Sequence, residues 1–113
     1  MTLTQTEAFA LTLLIEGVAA YLLAPRFAVN SWRAAAAAIA GSAISHPVLW
    51  PSALALFTRL GPLTVPTLEI LVVLFESIAY RLIATKSWRT ALILSAIVNF
   101  LSWLAGFLLQ GLR

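Results

Sequence analysis

Residues 90–109 read TALILSAIVNFLSWLAGFLL, twenty residues without one Asp, Glu, Lys or Arg. A helix needs about 20 mainly apolar residues, within a range of about 17–25, to cross the hydrocarbon core of a bilayer. The stretch is not uniformly apolar. Ala91, Ser95, Asn99, Ser102 and Gly106 recur at intervals of four, four, three and four, which places all five on one helix face. In lipid, a stripe of small residues marks where helices approach closely, because Leu gains little by leaving acyl chains for another Leu. The stretch therefore reads as a membrane-spanning helix packed against other helices.

Three further stretches have the same character. One covers about 7–23 and stops ahead of Pro25, which cannot continue a helix. A second covers about 34–53, with an end anywhere between Trp50 and Phe57, and a third covers about 67–83. Segment 52–60 either extends the second span or lies in the interface as a short helix, and Pro51 at its start permits both. Short connections force consecutive helices to pack antiparallel. The expected fold is all-α: a single integral membrane domain over 1–113, a four-helix bundle built from two antiparallel helical hairpins.

Composition narrows the alternatives. The chain of 113 residues is 62% hydrophobic and 10% charged, where soluble domains average about 45–50% and about 25%. A soluble domain this small needs far more polar surface, and a disordered chain needs lower hydrophobicity. With no cysteine there is no disulfide framework, thiolate catalysis or iron–sulfur ligation. A net charge of +3 and a pI near 10.2 come without a basic cluster beside an aromatic platform, so no nucleic-acid partner is expected. The first stretch lacks a positive n-region and contains Glu7 and Glu16, so it is read as a retained span rather than a cleaved signal.

Basic residues set the orientation. Arg26 and Arg33 follow the first span, and Arg81, Lys86 and Arg89 follow the third, against Arg59 and Arg113 on the other side. The richer side is expected to face the cytoplasm, leaving both termini outside. Trp32 and Trp88 fit an aromatic belt at that face, Trp50 marks the opposite interface, and Trp103 lies deeper. An inner, cytoplasmic-type bacterial membrane is the expected location, since outer membranes use barrels.

The two halves echo each other. Glu16 with Tyr21 in the first span matches Glu76 with Tyr80 in the third, and each half continues with Ser-Trp-Arg, at residues 31–33 and 87–89. Ala34, Ala38, Ser42 and Ser45 then repeat the first intervals of the fourth-span stripe. Because the first and third spans point the same way, the repeat is parallel, with a pseudo-twofold axis along the membrane normal.

Charges inside a span are costly, about 2.5–3.5 kcal/mol each at the bilayer centre on insertion scales, and mark functional candidates. Glu7 completes a capping box with Thr4. Glu69 lies in the first turn of the third span, where a carboxylate favours the helix dipole. Glu16 and Glu76 sit well inside their spans with no Lys or Arg at the same depth, and Glu69, Glu76 and Tyr80 share one face. Without a cation in low dielectric, such an acid favours its protonated form. Two roles remain open for it: a hydrogen-bonded tie between helices, or a carboxyl that exchanges protons or cations. Asn99, Ser102, Ser42, Ser45 and Tyr80 are the available neighbours. His46, the one histidine, precedes Pro47, where a kink would free a backbone carbonyl; it is either a proton carrier on the path or a cap at the helix end. No metal-site spacing accompanies it.

Ser-His-Pro-x-x-Trp at 45–50, Glu-x6-Glu-x3-Tyr-Arg at 69–81 and Asn-x-x-Ser-x-x-x-Gly at 99–106 resemble a group of small bacterial four-span membrane proteins. The resemblance covers most of spans two to four. It implies the topology and the choice of polar positions, and carries no activity. That group often has Asn where this chain has Ser42.

No nucleophile elbow, phosphate loop or dinucleotide fingerprint is present, so neither enzyme activity nor a cofactor is expected. The leading expectation is a small transporter or channel-like protein, a homo-oligomer in the bilayer. Glu16 and Glu76 would exchange protons or cations, with Glu69, His46, Asn99, Ser102, Ser45 and Tyr80 along the path, and with an aqueous route between protomers. The alternative is an accessory subunit of a larger membrane complex, docked through the small-residue stripes.

Overall fold

The computed structural model describes residues 5–111, with side chains described at 6–49, 55, 58–64 and 66–109. Thr4 of the proposed capping box, Arg113 and the side chain of Trp50 lie outside the described residues. The chain is helical throughout, without a strand among the described residues: α1 (Gln5–Leu23), α2 (Ser31–Leu60), α3 (Thr64–Ile83) and α4 (Trp88–Gly111), with 3-10 turns at Ala24–Phe27 and Gly61–Leu63.

Local chemistry explains the boundaries. Pro25 opens the first 3-10 turn, and Ala28 closes it in the left-handed region at φ 57°. Asn30 then caps α2, its Oδ1 accepting the Arg33 N–H at 3.0 Å. At the equivalent turn Ser87 caps α4 and accepts from the Thr90 N–H at 3.2 Å. The repeated Ser-Trp-Arg tripeptide thus starts its helices one residue apart. Both caps satisfy an N–H that has no partner within the helix.

Helix α2 is longer than the expected span. It runs 30 residues, continuing through Pro47 and Pro51 to Leu60. Each proline removes one donor, and the remaining ladder carries the helix across. Segment 52–60 therefore extends α2. In α3, Pro66 falls within the first turn, where the N–H has no intrahelical acceptor to lose.

Consecutive helices pack on one another, and α4 also packs against α1. The core is built from small side chains. Ala20, Ala24, Ala34, Ala37, Ala38 and Ala91 cluster with Tyr80, Leu94 and Val98, and Phe27, Val29 and Ala84 pack around them. This cluster joins the turn between α1 and α2 to the turn between α3 and α4. Arg26, Arg33, Arg81, Lys86 and Arg89 therefore gather at one end of the molecule, where the Arg81 guanidinium lies 5.6 Å from the Trp88 ring and Tyr21 meets Trp32 edge-on.

Burial repeats in both halves. Ala34, Ala38, Ser42 and Ser45 are buried on α2, and their counterparts Ala91, Ser95 and Asn99 on α4, with Ser102 half-buried. Both stripes face into the molecule. Conversely, large apolar side chains point outward, including Leu22, Ile44, Leu82 and Phe107. The segments Thr6–Phe27 and Trp88–Leu109 are long and apolar enough to cross a membrane, with mean hydropathy 1.8 and 2.2. Helix α3 is interrupted by Glu69, Glu76 and Arg81 within twenty residues.

Candidate functional site

Three helices deliver one polar side chain each to the same point. Glu16 from α1, Ser42 from α2 and Glu76 from α3 are all buried, Glu76 and Ser42 completely. The Ser42 hydroxyl is hydrogen-bonded to Glu16 Oε2 and, at 2.8 Å, to Glu76 Oε1. Among the described residues no basic side chain reaches this group. The fourth helix completes the surroundings, with Ser102 beside Glu16 and Asn99 beside Glu76.

Close helix approach makes the arrangement possible. A Cβ built on Gly41 would stand 3.1 Å from Glu76 Cγ and 3.3 Å from Ala79 Cβ, so α2 and α3 touch there with no room for a side chain. At Gly17, next to Glu16, a Cβ would stand 3.1 Å from Ile39 Cδ1, which brings α1 against α2 in the same way. Each glycine neighbours a member of the trio.

Hydrogen counting constrains the chemistry. A serine hydroxyl holds one proton and two lone pairs, so it can donate to only one of its two carboxyl partners. The second hydrogen bond must run the other way, from a protonated carboxyl to Ser42 Oγ. A fully bonded Glu16–Ser42–Glu76 trio therefore carries a proton on one of its acids. Glu76 Oε2 has no hydrogen-bond partner among the described residues, and neither does the buried hydroxyl of Tyr80, one turn along α3. The site thus holds acceptor capacity that no described protein group uses.

The other candidates occupy distinct places. Ser45 is buried one turn beyond Ser42 but donates to the Ser42 carbonyl at 3.4 Å rather than to a carboxyl. His46 is half-buried with its ring 5.2 Å from that of Phe9, away from the acids. Asn99 donates to the Ser95 carbonyl at 2.8 Å, while Ser95 donates across to the Val73 carbonyl of α3 at 2.8 Å. Glu69 stands apart from the trio, half-buried, on a cavity of about 510 Å³ between α3 and α4. Asn99 lines the same cavity and so separates it from Glu76. Among the described residues no cluster of three His, Cys, Asp or Glu is placed to hold a metal ion.

Two features of the site do not stand out in the sequence. Ser42 is there one of several available neighbours rather than the bridge, and Gly41 is one small residue in an alanine-rich run. A signal exists in each case: Gly41 immediately precedes Ser42, and Gly17 immediately follows Glu16. The aqueous route is expected between protomers, yet the two acids meet within one chain. Compared with protein-family models, curated proteins and solved structures, the chain matches none.

Proposed function

We propose that the chain is a four-span membrane protein of two helical hairpins, related as a parallel repeat, in which Glu16 and Glu76 exchange a proton for a monovalent cation. The membrane assignment is supported by the burial pattern. Carboxyl, hydroxyl and amide groups are buried beside a core of small apolar residues, while many Leu, Ile, Phe and Trp side chains are exposed, which suits a solvent less polar than water. The gathering of five basic residues at one end supports a cytoplasmic face there.

One observation carries the exchange reading: two buried acids from different helices share a single hydroxyl. With a proton on one of them, the trio is a closed hydrogen-bonded unit. When that proton leaves, Ser42 can satisfy only one carboxylate, and two like charges face each other in low dielectric. A small cation bound between them removes the repulsion, so proton and cation compete for one place. Ser102 lies beside Glu16 and Asn99 beside Glu76, both within reach of that place.

Reconstituted vesicles with a pH-sensitive dye inside test the reading. An imposed Na⁺ or K⁺ gradient is expected to drive proton movement in the natural chain, and Glu16→Gln or Glu76→Gln to abolish it. Flux that persists in both variants at every pH, with only thermal stability altered, would reduce the trio to a tie between helices. The accessory-subunit alternative needs stripes free to dock a partner. Most of each stripe is buried within the chain, which leaves the open end at Gly106 as the place where such a partner would dock.

A further inference from the structure

Between α3 and α4 lies a groove open to the outside, lined by Glu69, Ile70, Val73, Asn99, Phe100 and Trp103. Its volume of about 510 Å³ falls inside the range of about 300–1,000 Å³ typical of small-molecule pockets. Ile70 and Val73 form one wall and Phe100 and Trp103 the other, with Glu69 and Asn99 as its polar groups. Phe100 and Trp103 lie near-parallel, 29° apart with ring centres at 6.2 Å, and present an extended aromatic surface.

The charge is the distinguishing feature. Glu69 is half-buried in this apolar setting, and among the described residues no Lys or Arg pairs with it. Behind Asn99 lies Glu76, whose Oε2 is buried and without a hydrogen bond among the described residues. One acid, Glu69, thus faces an apolar, aromatic lining without a basic partner among the described residues. An acyl chain would fill the space but leave the Glu69 carboxyl without a polar partner, and an inorganic cation would meet the carboxyl but leave the walls empty. We infer that the cavity binds a lipophilic organic cation, its positive centre near Glu69 and its apolar body against Phe100 and Trp103. Aromatic faces attract such cations beyond simple burial. The assignment does not require Glu16 and Glu76 to exchange protons.

Binding of tetraphenylphosphonium to the full chain in zwitterionic phosphatidylcholine nanodiscs tests it, with empty discs subtracted and tetraphenylborate as the anion of matching shape. The natural chain is expected to bind the phosphonium saturably and the borate not above empty discs. Glu69→Gln is expected to weaken phosphonium binding about tenfold or more, and Glu7→Gln to leave it unchanged. Trp103→Leu, at a position 47% exposed and outside the packed core, is expected to weaken it as well, and serves if Glu69→Gln does not fold. Equal binding of both ions, or undiminished binding in Glu69→Gln, overturns the inference and leaves an acyl-chain slot. Such a failure would not touch the exchange reading, which is measured by flux through Glu16 and Glu76.

Discussion

Ser42 is the smallest participant in the site and the one with the most consequences. It is fully buried, and its hydroxyl is the common partner of both acids. Ser42→Ala removes that partner and adds no bulk. A buried polar group left without its hydrogen bond costs about 1–3 kcal/mol, and the expected result is a loss of that size in unfolding measurements, together with loss of proton flux. The depth of Glu16 and Glu76 is readable from sequence because carboxyls are conspicuous inside apolar runs. The choice of Ser42 over Ser45, Ser95 or Ser102 is not, because four serines on inward faces differ only in how far each helix is rotated and shifted against its neighbours. That offset is a property of packing, which no single span encodes.

At the scale of the helices, glycines divide into two kinds. Gly41 sits against Glu76 and Ala79, where the atoms that a new Cβ would meet are close to the α3 backbone and cannot swing aside. Gly41→Ala is expected to destabilise the protein by about 1–3 kcal/mol through overpacking and to lower flux by separating α2 from α3. Around Gly106, by contrast, a Cβ would meet nothing within 4 Å beyond the local helix backbone. Gly106→Ala should therefore stabilise α4 by about 0.5–1 kcal/mol through the lower backbone entropy of alanine. Paired denaturation curves in one detergent check both signs. The caps give a third expectation: Asn30→Ala should cost about 1 kcal/mol, since its Oδ1 holds the Arg33 N–H. Helix periodicity makes the inward stripes legible, because intervals of three and four admit one face only. The end of α2 is less so. Pro47 reads as a kink and Pro51 leaves open whether the span continues; a proline costs a helix one donor, and the flanking turns are sufficient to continue.

Across the whole molecule, the arrangement of charge gives a prediction that is independent of transport. Lys86 lies exposed between α3 and α4 at the basic end, and Thr58 is exposed near the far end of α2. Because the chain has no cysteine of its own, single replacements Lys86→Cys and Thr58→Cys can be labelled without background. A membrane-impermeant maleimide is expected to reach Thr58→Cys from outside intact cells and Lys86→Cys only after the membrane is opened. Labelling of both from the same side would contradict the four-span arrangement. With 10% charged residues, the composition departs from that of soluble domains, and two helices are long and apolar enough to cross a membrane. Composition does not reveal that Glu69, sharing a face with Glu76, lines the gap beside α4 and takes no part in the hydrogen bonds at Ser42. Two helical turns along α3 are enough to leave the central contact and enter the gap beside α4.

The tight contact at Gly41 also governs how the molecule can move. Where a glycine of one rod lies against the first side-chain atoms of another, the two pivot about that point as about a fulcrum, and displacement grows with distance along each rod. Ser42 adjoins the fulcrum and Glu76 forms part of it. Rocking of α2 on α3 would therefore widen or narrow the far mouths of the bundle while the centre hardly shifts.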